Sequence, residues 1–538
     1  MYNCQPLLDR LTHVLVKTGA IEEFSMKETP LEKIKFCLEK EVIYDTDIKI
    51  NLRTEIQDLL NALYEKCGDH GKSQDFALQA KNKGSKAYLK KKDAEALNNF
   101  TECLSLAPTE STILPLAYAN RSAVLFQMGR YEEALQDMNR AEENGYPAAL
   151  QHKLLTRRCH CYLILGKEDE AKASFDICKK HSRVIPPESK EKYEKAVADL
   201  EQKMMDNTLI RKVTNCQDVL HDPSIIKGES SVVKYMTSAF ELRVNDKYGR
   251  HIVASDDVSK GSVVFMEKPY AAILLPEYHN SHCHTCFTPA TNPVPCKDCR
   301  DVIFCKEECR DLGQKWHQYE CGILHILSSV GIAHLAVRFC DITPKLWSID
   351  TMVTESFILM FVSGITSKHS VFSNEKNRIL FCRDEVIEGR VAGVGKNGVY
   401  NGTDWAEGYR AVYHLMPHFN KCLPEDQLQY CLAAILLTNA VYDKTDFRKH
   451  SEDVMKNDRL EIAEFASAIM RHIAQLVSNA HAVTQIMASS CGDFESCCLE
   501  LRECLRVTKL RYGSESIELA HELLKFSDVL TLASVSND

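Results

Sequence analysis

The first seventy residues place apolar side chains at helical spacing: Leu52, Ile56, Leu59, Leu60 and Leu63 recur three and four apart and line one stripe of a helix. From about Ala77 the pattern begins to repeat. A small residue late in each helical hairpin, Ala96, Ala134 and Ala171, returns at intervals of 38 and 37 residues. Gly129-Arg-Tyr-Glu-Glu-Ala134 reads as a tight inter-helix turn followed by a close-packing alanine, and Gly166-Lys-Glu-Asp-Glu-Ala171 copies it. In the first unit Gly84 lies twelve residues before Ala96, and Pro108, twelve after it, stops the second helix. Arg183-Val-Ile-Pro-Pro-Glu188 breaks the pattern, a charged helix follows over 188–205, and 221–228 reads as a linker. Then the period shortens. Asp246-Lys-Tyr-Gly-Arg-His-Ile-Val-Ala254 and Gly261-Ser-Val-Val-Phe-Met-Glu267 are short β-branched runs separated by a polar 255–260 turn, as expected of antiparallel strands. The expected class is mainly α with a small β element.

The repeating unit resembles the tetratricopeptide repeat, lengthened by short insertions, and three units cover roughly residues 77–180. Helix pairs of this kind cannot bury their apolar face alone, so the resemblance implies a stacked, curved solenoid. Its groove takes a protein or peptide partner, or the stack braces a neighbouring domain.

Length and composition narrow the class. At ~150 residues per domain, 538 residues make three or four domains, and 45% hydrophobic with 26% charged residues is the make-up of a folding chain. The first ten residues carry charge where a secretory signal would be apolar, so the expected location is the cytoplasm and nucleus. The longest apolar segment, Cys431 to Tyr442, is about half the ~20 residues of a membrane span and is interrupted by Thr438 and Asn439, so no membrane anchor is expected. A formal charge of −9 gives no global attraction to nucleic acid, which disfavours a nucleic-acid partner.

Cysteine placement carries the sharpest chemistry. Of twenty-three cysteines, seven fall between Cys283 and Cys321. Cys283, Cys286, Cys296, Cys299, Cys305, Cys309, His317 and Cys321 follow the spacing C-x2-C, C-x2-C, C-x3-C, H-x3-C. Each C-x2-C sets two thiolates on one side of a tight turn, and pairs four apart share a helical face. Eight donors make two closed tetrahedral sites with no position left for water, hence two structural zinc ions, each contributing on the order of 10 kcal/mol to folding. Seven thiolates against two Zn²⁺ leave a local charge of −3, which Lys297, Arg300, Lys306, Arg310 and Lys315 offset. Spacing leaves open which pairs share an ion. His282 and His284 are extra donors beside the first knuckle, read as bystanders.

This order of pairs, with Phe304 before Cys305 and Trp316-His317 near the end, resembles the MYND zinc finger. The resemblance implies an interleaved finger: Cys283, Cys286, Cys305 and Cys309 on one ion, and Cys296, Cys299, His317 and Cys321 on the other. A β element carrying Lys247-Tyr-Gly-Arg250, interrupted after Pro269-Tyr-Ala-Ala-Ile273 by such a finger and followed by helices, is similar to the SET and MYND family of protein-lysine methyltransferases. The repeats ahead of it are similar to those of the family's repeat-bearing subgroup. The helical insert matches through Tyr409-Arg-Ala-Val-Tyr-His-Leu-Met-Pro-His418 and Ser478-Asn-Ala-His-Ala482.

The resemblance divides the chain into an N-terminal helical region (1–70), repeats (77–180), a first SET segment (233–275), the finger (283–321), a helical SET insert (322–487) and C-terminal helices (496–538). It implies methyl transfer from S-adenosylmethionine to a protein lysine, with Tyr248, Gly249 and Arg250 at the cofactor and His418, then Tyr413, as cofactor neighbours. The family's second SET half carries an Asn-His-Ser-Cys-x-Pro-Asn segment, a Gly-Glu-Glu-Leu-x-x-x-Tyr segment with the catalytic tyrosine, and a C-x-C-x2-C zinc site. None occurs in this sequence, so catalytic residues stay unassigned and a chain that binds cofactor poorly is expected. The alternative is a non-catalytic scaffold that docks proline-rich or acidic peptides on the finger and the repeat groove.

Overall fold

Thr29 and Glu32 show how the chain begins to fold. The Thr29 hydroxyl accepts the Glu32 amide at 3.2 Å while the Glu32 carboxylate accepts the Thr29 amide at 3.1 Å, a capping box that starts a helix at Pro30. The computed structural model describes residues 4–44, 48–67, 71–182, 185, 187–206, 225–231, 233, 235–245, 249–259, 262–265, 269, 271–341, 417–445 and 458–479. Tyr248, Tyr413, the C-terminal helices expected over 496–538, and all of 342–416 lie outside them.

Helices α1 (Gln5–Lys17), α2 (Ala20–Ser25) and α3 (Pro30–Glu39) lead into the hairpin β1 (Glu41–Tyr44) and β2 (Ile48–Asn51) and then α4 (Leu52–Cys67). The predicted stripe is real: Leu52, Ile56, Leu60 and Leu63 are buried. What they pack against is distant in sequence. One core joins α1–α4 to the helices that follow the finger, α13 (Leu324–Ser329), α14 (His334–Asp341), α15 (Pro424–Lys444) and α16 (Asp458–Asn479). Helix α15 is its centre, buried from Leu428 to Val441 on nearly every face, which explains a segment apolar all round. Among the described residues no helix is long and apolar enough to cross a membrane.

Three helix pairs form a second layer: α5 (Gln74–Leu89) with α6 (Asp93–Leu106), α7 (Ile113–Gln127) with α8 (Tyr131–Glu143), and α9 (Gln151–Ile164) with α10 (Glu168–His181). Ala96, Ala134 and Ala171, which define the period, are wholly buried on the second helix of each pair. Gly129 and Gly166 turn between helices at φ 78° and 69°, the left-handed region that glycine enters without a Cβ penalty. Helix α11 (Pro187–Asp206) packs on the last pair through Tyr193, Val197 and Leu200.

The β element is a hairpin of β3 (Phe240–Asn245) and β4 (Gly249–Ala254), in register from Phe240 opposite Ala254 to Asn245 opposite Gly249. The strand expected over 246–254 is present from Gly249 to Ala254, but its partner precedes it. The run expected over 261–267 enters instead through a bridge of Phe265 to Met236 and the amide of Thr237 to the Val264 carbonyl, 2.8 Å. Among the described residues β3 and β4 pair with each other alone.

Two measurements check this packing. A Cβ at Gly84 would meet the Phe100 ring at 2.8 Å. Replacing a mid-helix glycine with alanine ordinarily stabilises by about 0.5–1 kcal/mol, yet Gly84→Ala is expected to destabilise by about 1–3 kcal/mol in urea unfolding, and Phe100→Leu is expected to relieve most of that. An unchanged midpoint refutes the close approach. His472 is buried against Phe339 with Nδ1 2.7 Å from Gln475 Oε1, and burial pushes its pKa down to about 4. The unfolded chain therefore binds a proton there before the folded chain does. Stability is expected to fall as pH drops from about 6.5 to about 4, and His472→Leu is expected to flatten that limb.

Candidate metal centre

Two tight turns present the first four donors. At the first, the Phe287 amide donates to the Cys283 carbonyl at 2.9 Å, and the Thr285 amide points at Cys283 Sγ, 3.5 Å away. At the second, the Asp298 amide points at Cys296 Sγ at 3.4 Å. The strand pair β5 (Val294–Pro295) and β6 (Ile303–Phe304) brings the second turn back beside the first and delivers the chain into α12 (Glu307–His317). Cys305 precedes this helix, Cys309 lies in its first turn, His317 ends it, and Cys321 follows one turn later, its amide donating to the His317 carbonyl at 2.7 Å.

All eight expected ligands fall into two groups, and the groups interleave. Cys283, Cys286, Cys305 and Cys309 have their sulfurs within 4.8 Å of one another, as do the donor atoms of Cys296, Cys299, His317 and Cys321. Within the first, Cys286 and Cys305 are 3.5 Å apart, as are Cys305 and Cys309. In the second, His317 Nε2 lies 3.3 Å from Cys296 Sγ and 3.4 Å from Cys299 Sγ, and Cys296 is 4.0 Å from Cys321. A zinc tetrahedron with ~2.3 Å Zn–S bonds has sulfur–sulfur edges of about 3.8 Å. The donor sets fit zinc in identity, number and spacing. The sites differ in exposure: Cys286 is exposed and Cys305 half-buried, whereas Cys296, Cys299 and His317 are buried.

Glu320 is the functional residue that spacing did not reveal. It is wholly buried and accepts from Arg338 Nε at 2.9 Å and Nη2 at 2.6 Å, and from His334 Nε2 at 2.9 Å. His284 Nε2 lies 3.0 Å from the same carboxylate. Burial alone would raise the Glu320 pKa, but Arg338 and His334 hold it well below the usual carboxylate range. Because His317 Nε2 faces the sulfurs, its Nδ1 turns toward Glu320 Oε2, 4.0 Å away and beyond hydrogen-bond distance, so the carboxylate sits behind a ligand of the second site and acts on it through charge. His284, expected as a bystander, is buried inside this network, and burial pushes its pKa down to about 3. His284, His317 and Glu320 also lie close enough to hold a cation, and the Arg338 guanidinium is the cation already there.

The helix pairs grip the finger from the other side. Gly71 forms a β-bridge with Cys299, and Lys72 comes close to Cys296, Cys299 and Cys321, its ammonium donating to the Ser105 carbonyl at 2.9 Å. Burial lowers the Lys72 pKa while those thiols raise it. Arg121, wholly buried, pairs with Asp137 and donates to the Pro293 carbonyl at 3.0 Å. Arg140 spans from Asp137 to Glu307 of α12, 2.7 Å. Gly313 sits where a Cβ would come within 2.3 Å of Thr285 Oγ1, so its bareness lets α12 close on the first turn.

Of the expected cofactor residues, Gly249 and Arg250 open β4, and His418 stands at φ 52° just before the 3-10 turn Phe419–Lys421. Among the described residues no hydrogen bond or ion pair joins His418 to the hairpin.

Removing the Glu320 carboxylate tests the network. Glu320→Ala leaves the Arg338 charge buried without its partner, so a loss of about 3–5 kcal/mol is expected, with weaker zinc retention at the second site under chelator challenge. Wild-type unfolding and retention in this variant would refute the role.

Comparison with known proteins agrees with the donor pattern. Residues 283–321 match the MYND finger family model. The chain is 25% identical over 471 residues to the protein-lysine N-methyltransferase SMYD4 of Homo sapiens, covering 77% of this chain and 56% of that protein. It is 23% identical over 504 residues to the protein of the same name in Danio rerio, 89% of this chain and 58% of the relative. A SET and MYND domain-containing protein of Dictyostelium discoideum is 25% identical over 236 residues, 39% of this chain and 18% of that one. The chain thus spans about half the length of the methyltransferase relatives it matches. No solved structure matches it. The interleaved finger of eight donors lies in a chain that aligns along most of its length with lysine methyltransferases, and together the two support a place in the SET and MYND family.

Proposed function

We propose that this chain carries the repeat, finger and helical portions of a protein-lysine N-methyltransferase that transfers methyl from S-adenosylmethionine to a protein lysine. The observation that supports this reading is the order of parts. A hairpin bearing Gly249 and Arg250, a finger inserted after it and helices behind the finger align with lysine methyltransferases over most of the chain. S-adenosylmethionine supplies an electrophilic methyl group when bound. Tyr248, Gly249 and Arg250 are proposed at its binding turn, with His418 beside it. The chemistry asks the protein to hold a neutral lysine amine in line with the methyl, and a desolvated channel achieves this by lowering the amine pKa.

In the same reading, Cys283, Cys286, Cys305 and Cys309 hold one structural zinc and Cys296, Cys299, His317 and Cys321 the other. Each ion has four protein donors, so its role is to shape the finger. The three helix pairs are tetratricopeptide repeats, and the thiolate sites suit the reducing cytoplasm and nucleus.

A second reading is a protein-interaction scaffold that docks proline-rich or acidic peptides without catalysis. It is favoured by the two sides of the finger: one is occupied by the helix pairs through Asn292, Pro293 and Glu307, while Leu312 on α12 stays exposed.

Elemental analysis of the purified chain is expected to give two zinc ions. Titration calorimetry with S-adenosylmethionine separates the readings: micromolar binding upholds the methyltransferase, and no binding by a zinc-loaded chain favours the scaffold.

A further inference from the structure

We propose that the finger contains an oxidation site, formed by Cys286 and Cys305, through which peroxide removes one zinc and leaves the other in place. The inference rests on the two-zinc reading above and adds an inequality between the sites. Cys286 is the exposed ligand, its sulfur accompanied by the Thr288 hydroxyl at 3.0 Å, and Cys305 is half-buried at 3.5 Å from it. A disulfide needs ~2.05 Å, so the two sulfurs have about 1.5 Å to close. The second site is less open: Cys321 is half-buried, but its sulfur is 4.0 Å from Cys296 and no ligand there is exposed as Cys286 is. Cys296 and Cys299 are each 1% exposed and His317 is wholly buried. Gly71 and Lys72 cover it from the helix pairs, and Glu320 backs it from the helical core.

The step balances with hydrogen peroxide as the oxidant. The Cys286 thiolate attacks one peroxide oxygen, the O–O bond breaks, and a sulfenic acid forms while the second oxygen leaves as hydroxide and takes a proton to become water. The Cys305 thiolate then attacks the Cys286 sulfur, the S–S bond forms, and the sulfenic oxygen leaves as a second water after protonation. Two sulfurs have lost two electrons and the peroxide has gained them. Cys283 and Cys309 alone are too few donors to keep the ion, so it departs. Helix α12 loses its anchor at the Cys309 end and keeps the one at His317, so the contacts to the helix pairs through Cys299 and Lys72 persist.

The test uses the zinc-loaded full chain, hydrogen peroxide and a chromogenic zinc chelator. One of two zinc ions is expected to leave in a fast phase, the second at least ~10-fold more slowly, as exposure orders thiolate oxidation. Peptide mapping is expected to find Cys286 in the first disulfide, and dithiothreitol with added zinc to restore two ions. Cys286→His keeps a fourth donor but removes the reacting sulfur, so the fast phase is expected to vanish. Where that variant does not take up its first zinc, the wild-type map decides. Release of both ions at one rate, or a first disulfide drawn from Cys296, Cys299 and Cys321, overturns the inference alone. A folded chain with no zinc before oxidant is added overturns the zinc reading and the inference with it.

Discussion

The Glu320 carboxylate has no access to water, so whatever charge it carries must be answered by neighbours placed by the fold. Arg338 and His334 come from α14, His284 from the first turn of the finger, and His317 from the end of α12. Four side chains from three segments therefore converge on one carboxylate. A buried ion pair of this kind is costly to form and costlier to break, which is why it specifies arrangement more than it adds net stability. Through it the geometry of a metal ligand depends on the helical core, and the helical core depends on a finger that is correctly closed.

The finger is accordingly central to the molecule. The second site is held between Gly71 and Lys72 ahead of the helix pairs and the Glu320 cluster of the core behind it. Arg121 and Arg140 extend the grip with donors that are themselves fixed by Asp137. Arginine suits this role, because its planar fork satisfies a carboxylate and a carbonyl together. A chain assembled in this way presents the outward face of the finger from one connected scaffold of helix pairs and helical core, whichever functional reading holds.

Much of this was legible locally. The returning alanines and Gly129 and Gly166 marked helix pairs because each feature is decided within one hairpin. The knuckles at Cys283 and Cys296 were legible because a two-residue spacer must turn tightly to aim two sulfurs together. The β3 strand escaped notice: Phe240–Asn245 lacks a sharp turn signal on its leading side, while the β-branched run at Val263–Val264 looked the better partner. His284 was passed over since nothing beside Cys283 announces a carboxylate thirty-six residues on.

The sequence by itself determined the kinds of element and the donor chemistry, since helix periodicity, left-handed turns and thiolate spacing are properties of neighbouring residues. Only the tertiary structure decided which donors share a site, that Glu320 stands behind His317, and that the first four helices complete their core against α15 and α16. An apolar stripe or a lone acid states that a partner is needed. Which partner it meets depends on burial and charge balance summed over the whole chain.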